Sequence, residues 1–207
     1  MRTHTKETQA GLTPELALEI LKEGNKRFVN NILAHRNLLK QVNETSSGQF
    51  PLATILSCID SRTSAELIFD QGLGDIFSIR IAGNILNDDI LGSMEFACKI
   101  AGSKLIVVLG HTKCGAILGA CNHLEMGHIT GLLNKIKPAI AMETETKSGR
   151  NGNNKAFLDN VTRHNVSLTV QLIKNQSLML RQMEQSGEIK IIGGLYDLDT
   201  GKVRFHE

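Results

Sequence analysis

Leu105-Ile106-Val107-Val108-Leu109-Gly110-His111-Thr112-Lys113-Cys114-Gly115 joins an unbroken apolar run to a short segment rich in chemically able side chains. Five consecutive large aliphatic residues leave no polar face for water, so a strand made of them must be covered on both sides. The same construction occurs upstream, where Leu52-Ala53-Thr54-Ile55-Leu56 runs straight into Ser57-Cys58-Ile59-Asp60-Ser61-Arg62. Ile76 to Ala82 and Ile189 to Leu195 read as two more buried strands. Lys202 to His206, after the turn Asp199-Thr200-Gly201, reads as a short last one. Helical patterns lie between them. Asp88 to Ala101 has acids in its first turn, Ile90, Met94, Ala97 and Ala101 on one face, and Gly102 as its stop. One long helix is predicted from about Ala156 to Glu184, with Val161, Leu168 and Leu172 at helical spacing. Strands alternating with helices predict an α/β fold, with a mainly parallel central sheet of four to five strands covered by helices.

Thr13-Pro14-Glu15 begins a further helix, with a hydroxyl cap, a proline in the first turn and an acid beside it. Leu16, Ile20 and Phe28, beside Ala17 and Leu21, make its apolar stripe. That stripe needs a surface, either its own domain or a second copy of the chain. The helix is expected to project, as part of an N-terminal arm over about residues 13–42. Asn43 to Gln49 reads as a polar loop and Ser148 to Asn154 as a linker or exposed turn. No internal repeat is present, and residues 1–207 are read as one domain.

Composition removes several classes. With 41% hydrophobic and 21% charged residues in 207, the chain has the make-up of a folded globular protein. The net charge is +2 and the basic residues are scattered, without a basic stripe interleaved with aromatics, so no nucleic-acid partner is expected. No membrane partner is expected either. Met1 to Gly11 is polar, and Leu105 to Leu109 is far too short to span a bilayer. Four cysteines are too few to staple a chain of this length. The expected setting is a reducing cytoplasm, unless a cleaved export signal is missing, and there cysteine grouped with histidine points to metal or catalysis.

In open parallel sheets ligands bind beyond the carboxyl ends of the strands, where the Cys58 and His111 segments must both lie. Two thiolates and an imidazole suit tetrahedral zinc. His111-x-x-Cys114 lets one tight turn present two ligands, and Cys58 arrives from the other strand end. Three protein ligands leave a fourth position for water, whose pKa zinc lowers to about 7. Asp60 is placed to accept a hydrogen bond from that water or to displace it. Arg62 is placed to hold Asp60 bidentately and keep it off the metal, so the pair reads as a latch between an open and a closed site. Taken singly, each of these five residues is more often an ordinary core or surface residue. As an ordered set, one metal accounts for all of them.

Other candidates have blander readings. Cys98 and Cys121 read as small core hydrophobes, and Lys113 as a surface residue. His123 and His128 read as solvated, with a proton-shuttle role open to them because histidine titrates near neutral pH. A thiol redox enzyme is disfavoured, since there is no Cys-x-x-Cys. A non-catalytic zinc module, with Asp60 permanently the fourth ligand, would leave Arg62 without purpose.

Cys58-x-Asp60-Ser61-Arg62 and His111-x-x-Cys114-Gly115 together resemble the paired motif of the β-class carbonic anhydrases. Arg80-Ile81-Ala82-Gly83-Asn84 resembles that family's stretch after the second strand, and the resemblance runs from about Thr13 to the last strand. It implies one zinc ion per chain at Cys58, His111 and Cys114, with Asp60 and Arg62 as the catalytic dyad. The implied reaction is reversible hydration of carbon dioxide to bicarbonate and a proton, by attack of zinc-generated hydroxide. The implied substrate pocket is an apolar slot of Phe77, Ala82 and Phe96, with Gln49 and the Gly115 N–H near the bound oxygen. A homodimer or homotetramer is implied, with pockets at the dimer interface and some lining residues from the partner chain. The family includes hydrolases of carbon disulfide and carbonyl sulfide with the same ligands, so the choice among these substrates stays open.

There are two departures. Phe96 stands where relatives often carry tyrosine. The chain also lacks tryptophan, and Ile55 stands where relatives with an inhibitory bicarbonate pocket usually have one. Arg80 matches another residue of that pocket but is read as making a structural salt bridge. The expectation is an open site without that bicarbonate switch.

Overall fold

The computed structural model describes residues 3–206. Three helices lead in, α1 (Lys6–Ala10), α2 (Pro14–Val29) and α3 (Leu38–Thr45), followed by β1 (Ala53–Ser57), α4 (Ala65–Ile68) and β2 (Ile76–Arg80). A single 3₁₀ turn (Ala82–Asn84) precedes α5 (Asp88–Glu95), which continues as a π-helical turn over Phe96–Ile100. Next come β3 (Leu105–His111), α6 (Gly115–Cys121), α7 (Gly127–Asn134) and α8 (Lys137–Met142). The chain finishes with α9 (Lys155–Gln176), α10 (Leu178–Gln185), β4 (Lys190–Tyr196) and β5 (Val203–His206).

The five strands form one sheet in the order β2-β1-β3-β4-β5. The first four are parallel and β5 pairs antiparallel with β4. This is the expected α/β architecture, with the sheet at the upper end of the expected strand count. In the register Ser57 pairs with Leu109, so the segments that follow β1 and β3 emerge at one end of the sheet.

Both faces are covered, as the all-apolar strands require. Along β3, Leu105, Val107 and Leu109 pack on one side with Leu18 and Leu21 of α2 and Ile68 of α4. Ile106 and Val108 pack on the other side with Ile90 and Met94 of α5 and Val166 and Ile173 of α9. This is the period-two alternation of a strand.

Three expectations need correction. The helix predicted to run from 156 to 184 is two helices. Ser177 ends α9 and caps α10, accepting from the Leu180 N–H at 3.1 Å and donating to Glu95 Oε1 at 2.6 Å. A serine gives no strong break signal without a glycine or proline beside it. The predicted helix over 88–101 exists but widens into the π turn from Phe96. In α2 the period was right and the face was rotated. Ala17, Leu18, Leu21, Gly24 and Asn25 are buried, while Leu16 is 47% exposed. The cause is Gly24, where a Cβ would stand 1.8 Å from the Phe69 carbonyl oxygen, so α2 presses its glycine against the backbone after α4. Asn25 completes that face, donating to the Ile68 and Gly201 carbonyls and accepting from the Val203 N–H.

Of the two surfaces weighed for α2, its own domain supplies one. What remains uncovered is the segment after it, where Ile32, Leu33, Leu38, Leu39 and Val42 are all exposed. Among the described residues no helix is long and apolar enough to cross a membrane.

Candidate metal centre

Cys58 is the first residue beyond β1, His111 the last of β3, and Cys114 the N-cap of α6. All three are buried, and their ligand atoms lie within 4.8 Å of one another. The two sulfurs are 3.9 Å apart. Zinc–sulfur bonds of about 2.3 Å at a tetrahedral angle put two sulfurs about 3.8 Å apart, so the spacing fits the ion.

The imidazole is oriented for the same purpose. His111 Nδ1 lies 2.9 Å from the Thr112 carbonyl oxygen. A carbonyl only accepts, so Nδ1 carries the proton and Nε2 presents its lone pair. His111 Nε2 is buried and has no hydrogen-bond partner. An orphaned acceptor of this kind is costly unless something electron-poor meets it. The donor set fits a tetrahedral zinc ion. The Cys114 thiol as donor holds Cys58 well below the usual thiol range, while that hydrogen bond and burial push Cys114 up. A cation would stabilise both as thiolates.

Asp60 lies beside this group, with Oδ2 at 4.0 Å from His111 Nε2. Arg62 grips it through Nε to Oδ1 at 2.9 Å and Nη2 to Oδ2 at 2.7 Å, and its backbone N–H adds a third bond at 3.0 Å. The Arg62 guanidinium holds the Asp60 carboxyl well below the usual carboxylate range, against the opposing effect of its partial burial. Asp60 is therefore ionised and turned toward Arg62, near the donor group without belonging to it.

The loop that carries Cys58 and Asp60 is tied from several sides. Thr63 Oγ1 donates to the Cys58 carbonyl at 3.1 Å and the Asp60 carbonyl at 2.8 Å. Arg80, expected to make a salt bridge, instead donates to the same two carbonyls at 3.1 and 2.6 Å. The loop's carbonyls have left the sheet ladder, and the Arg80 guanidinium adds to the donors that Thr63 supplies. The Gly83 N–H points at Cys58 Sγ at 3.4 Å, and the Gly83 carbonyl accepts from Asn165 Nδ2 at 2.9 Å.

A cavity of about 490 Å³ opens onto this group. Cys58, Asp60, Ala82 and Gly115 line it, with apolar walls that include Leu124 and Ile129. Ala82 and Gly115 are two of the pocket residues that the resemblance implied. Phe77 and Phe96 do not line this cavity. They line a separate hollow between the edge strand β2 and α5, and Phe96 is 54% exposed. Gln49 is exposed before β1 and does not line the cavity. The sequence reading missed the supporting roles of Gly83, Thr63 and Asn165 and the Leu124–Ile129 wall. Only Gly83 carried a signal, as a glycine inside the segment 80–84.

The remaining residues are unremarkable chemically. Cys98 and Cys121 are buried, and burial pushes their thiols up to about 12 and about 11. His123 and His128 are exposed. Ile55 is fully buried in the sheet core.

Comparison with known proteins gives concordant results. The sequence model of the family described as carbonic anhydrase matches residues 53–203. Carbonic anhydrase 2 of Mycobacterium tuberculosis is 36% identical over 197 residues, covering 91% of each chain. The fold matches one of the two tetrameric β-carbonic anhydrases solved from Sordaria macrospora, with a TM-score of 0.72 at 20% identity over 92% of this chain and 94% of that one. A carbon disulfide hydrolase of Acidithiobacillus thiooxidans is 34% identical over 77 residues, 34% of this chain and 36% of that protein.

Proposed function

Because this chain belongs to the β-class carbonic anhydrase family and is a carbonic anhydrase enzyme, we propose that Cys58, His111 and Cys114 hold one zinc ion, at which carbon dioxide is reversibly hydrated to bicarbonate and a proton. The observation that carries this is the buried, partnerless His111 Nε2 facing two sulfurs at the mouth of an apolar cavity. Zinc held there supplies Lewis acidity that makes hydroxide available near neutral pH.

The chain's own groups do the rest. Asp60, kept ionised, accepts a hydrogen bond from the attacking water and sets its lone pair toward the substrate. Arg62 holds the Asp60 carboxylate through two hydrogen bonds and so would keep it from joining the metal's ligands. Ala82 and the apolar walls accept carbon dioxide, which has no net dipole to solvate. The Gly115 N–H serves the oxygen on which negative charge grows.

Gln49, Phe77 and Phe96 reach this cavity from a second copy. Phe96 and Phe77 beside the open edge of β2, with the exposed side chains of Ile32, Leu33, Leu38, Leu39 and Val42, give such a copy a surface to cover. The assembly is a homodimer or homotetramer. All four cysteines are free and buried, which suits a reducing compartment and supports a cytoplasmic setting.

Metal analysis with stopped-flow carbon dioxide hydration tests the reading. Cys114→Ala is expected to lose zinc and activity together. Carbon disulfide and carbonyl sulfide are assayed beside carbon dioxide. Turnover of either sulfur compound with none of carbon dioxide would assign the site to the alternative hydrolase chemistry. Full zinc occupancy with no turnover of any substrate would leave a non-catalytic module.

A further inference from the structure

We propose that Thr112 is a positioning residue for metal capture, with its hydroxyl fixing the peptide whose carbonyl aims the His111 ring. This rests on the reading of Cys58, His111 and Cys114 as a metal site. Thr112 lies between two of those residues, and its own contacts all serve orientation. Its carbonyl accepts from His111 Nδ1 at 2.9 Å. Its N–H donates to the Tyr196 carbonyl at 3.0 Å. Its Oγ1 accepts from the Leu198 N–H at 3.0 Å.

Two anchors thus come from the last residue of β4 and from the β4–β5 connection, more than eighty residues further along the chain. A third holds the neighbouring residue, because Lys113 Nζ donates to Asp199 Oδ1. Lys113 has φ +57°, a left-handed conformation that side chains other than glycine rarely adopt. That twist turns the chain so that Cys114 comes back to the site after His111 leaves the strand. A peptide beside a strained residue does not hold its carbonyl direction unaided. The Leu198 N–H on the Thr112 hydroxyl supplies the restraint, and the ring of His111, once its Nδ1–H is spoken for, can offer only Nε2. Partners of this kind behind a metal-binding imidazole commonly change metal affinity by about 10–100-fold when removed.

The test is zinc transfer from the holoenzyme to a chromophoric chelator, for the parent and for Thr112→Val, Thr112→Ala and Thr112→Ser. Thr112→Val keeps the shape and Thr112→Ala avoids any packing strain, so one of them remains readable if the other misfolds. Both are expected to bind zinc about 10–100-fold more weakly, while Thr112→Ser stays within about threefold of the parent. Losses in Thr112→Ala and Thr112→Ser with Thr112→Val unchanged would show that the γ-methyl matters rather than the hydroxyl, and equal losses in all three would single out neither group; either result would overturn the proposal. Unchanged affinity in Thr112→Val or Thr112→Ala would overturn it as well. A parent that carries no zinc would sink the metal reading itself, a result distinguishable from either.

Discussion

Gly83→Ala tests the link between the fold and the metal centre. Gly83 has φ +70°, which an alanine adopts at a penalty of about 1–2 kcal/mol. The new Cβ would stand 2.9 Å from Ile136 Cδ1 and 3.2 Å from Ala116 Cβ. Ile136 is fully buried, so its methyl has little room to retreat, and forcing a methyl into such packing costs about 1–3 kcal/mol. The sum is about 2–5 kcal/mol, a large share of the roughly 5–15 kcal/mol that holds a typical domain folded. The displaced turn would also draw the Gly83 N–H away from Cys58 Sγ, so zinc retention should fall alongside stability. The measurement is urea unfolding of the parent, Gly83→Ala and Gly131→Ala, each with and without saturating zinc. Gly131 lies inside α7, has nothing within 4 Å of its added Cβ, and should gain about 0.5–1 kcal/mol. If Gly83→Ala is no less stable than Gly131→Ala, neither the backbone argument nor the packing argument holds.

Four further expectations follow from named contacts. Asp60→Asn should keep its zinc and lose most carbon dioxide hydration, and a fully active variant would remove the orienting role given to Asp60. Phe96→Asp, at an exposed site beside the β2 edge, should shift sedimentation toward the monomer and lower activity with it; an unchanged assembly would place the contact between copies elsewhere. Ser177→Ala removes the α10 cap and should lower stability by about 0.5–2 kcal/mol in thermal or chemical unfolding, without touching zinc content. Burial alone would raise the Glu143 carboxyl, but the Thr146 N–H, Asn160, the Thr146 hydroxyl and Arg150 outweigh it and bring it down to about 2. Its free value is about 4.3, so its contribution to stability is present above that pH and is lost as pH falls toward about 2. Glu143→Gln should therefore flatten acid unfolding between about pH 4 and 2, and an unaltered acid limb would contradict the assignment.

The sheet was legible because β1, β3 and β4 are buried on both faces, and continuous aliphatic runs are the only way to write such strands. Cys58, His111 and Cys114 were legible as a group because each stands at or just past a strand end, and the register of β1 with β3 brings those ends level. Gly24 was not legible, since nothing local says that a helix glycine will meet a carbonyl of a distant loop. Ser177 was hidden in the same way. Its capping bond is local, but its bond to Glu95 depends on α5 lying alongside. The cavity walls were the hardest to read. Leu124 and Ile129 look like any exposed aliphatic residues near a turn, and only the fold places them across from Cys58 and Asp60. Phe77 and Phe96 illustrate the opposite difficulty. A family resemblance put them in the pocket, whereas within one chain they line a separate hollow between β2 and α5, a distinction no single sequence can express.

Cys58 and Cys114 are 56 positions apart, and the pairing of β1 with β3 is what brings their sulfurs together. An unfolded chain offers an ion only scattered ligands, because closing a loop of that length has its own entropy penalty. Small zinc modules rely on the ion to fold at all, whereas the two apolar layers on this sheet include none of the three ligand residues. With that packing independent of Cys58, His111 and Cys114, folding is expected to precede metal binding. Scarcity of zinc would then be expected to leave folded molecules that become active once the metal is supplied.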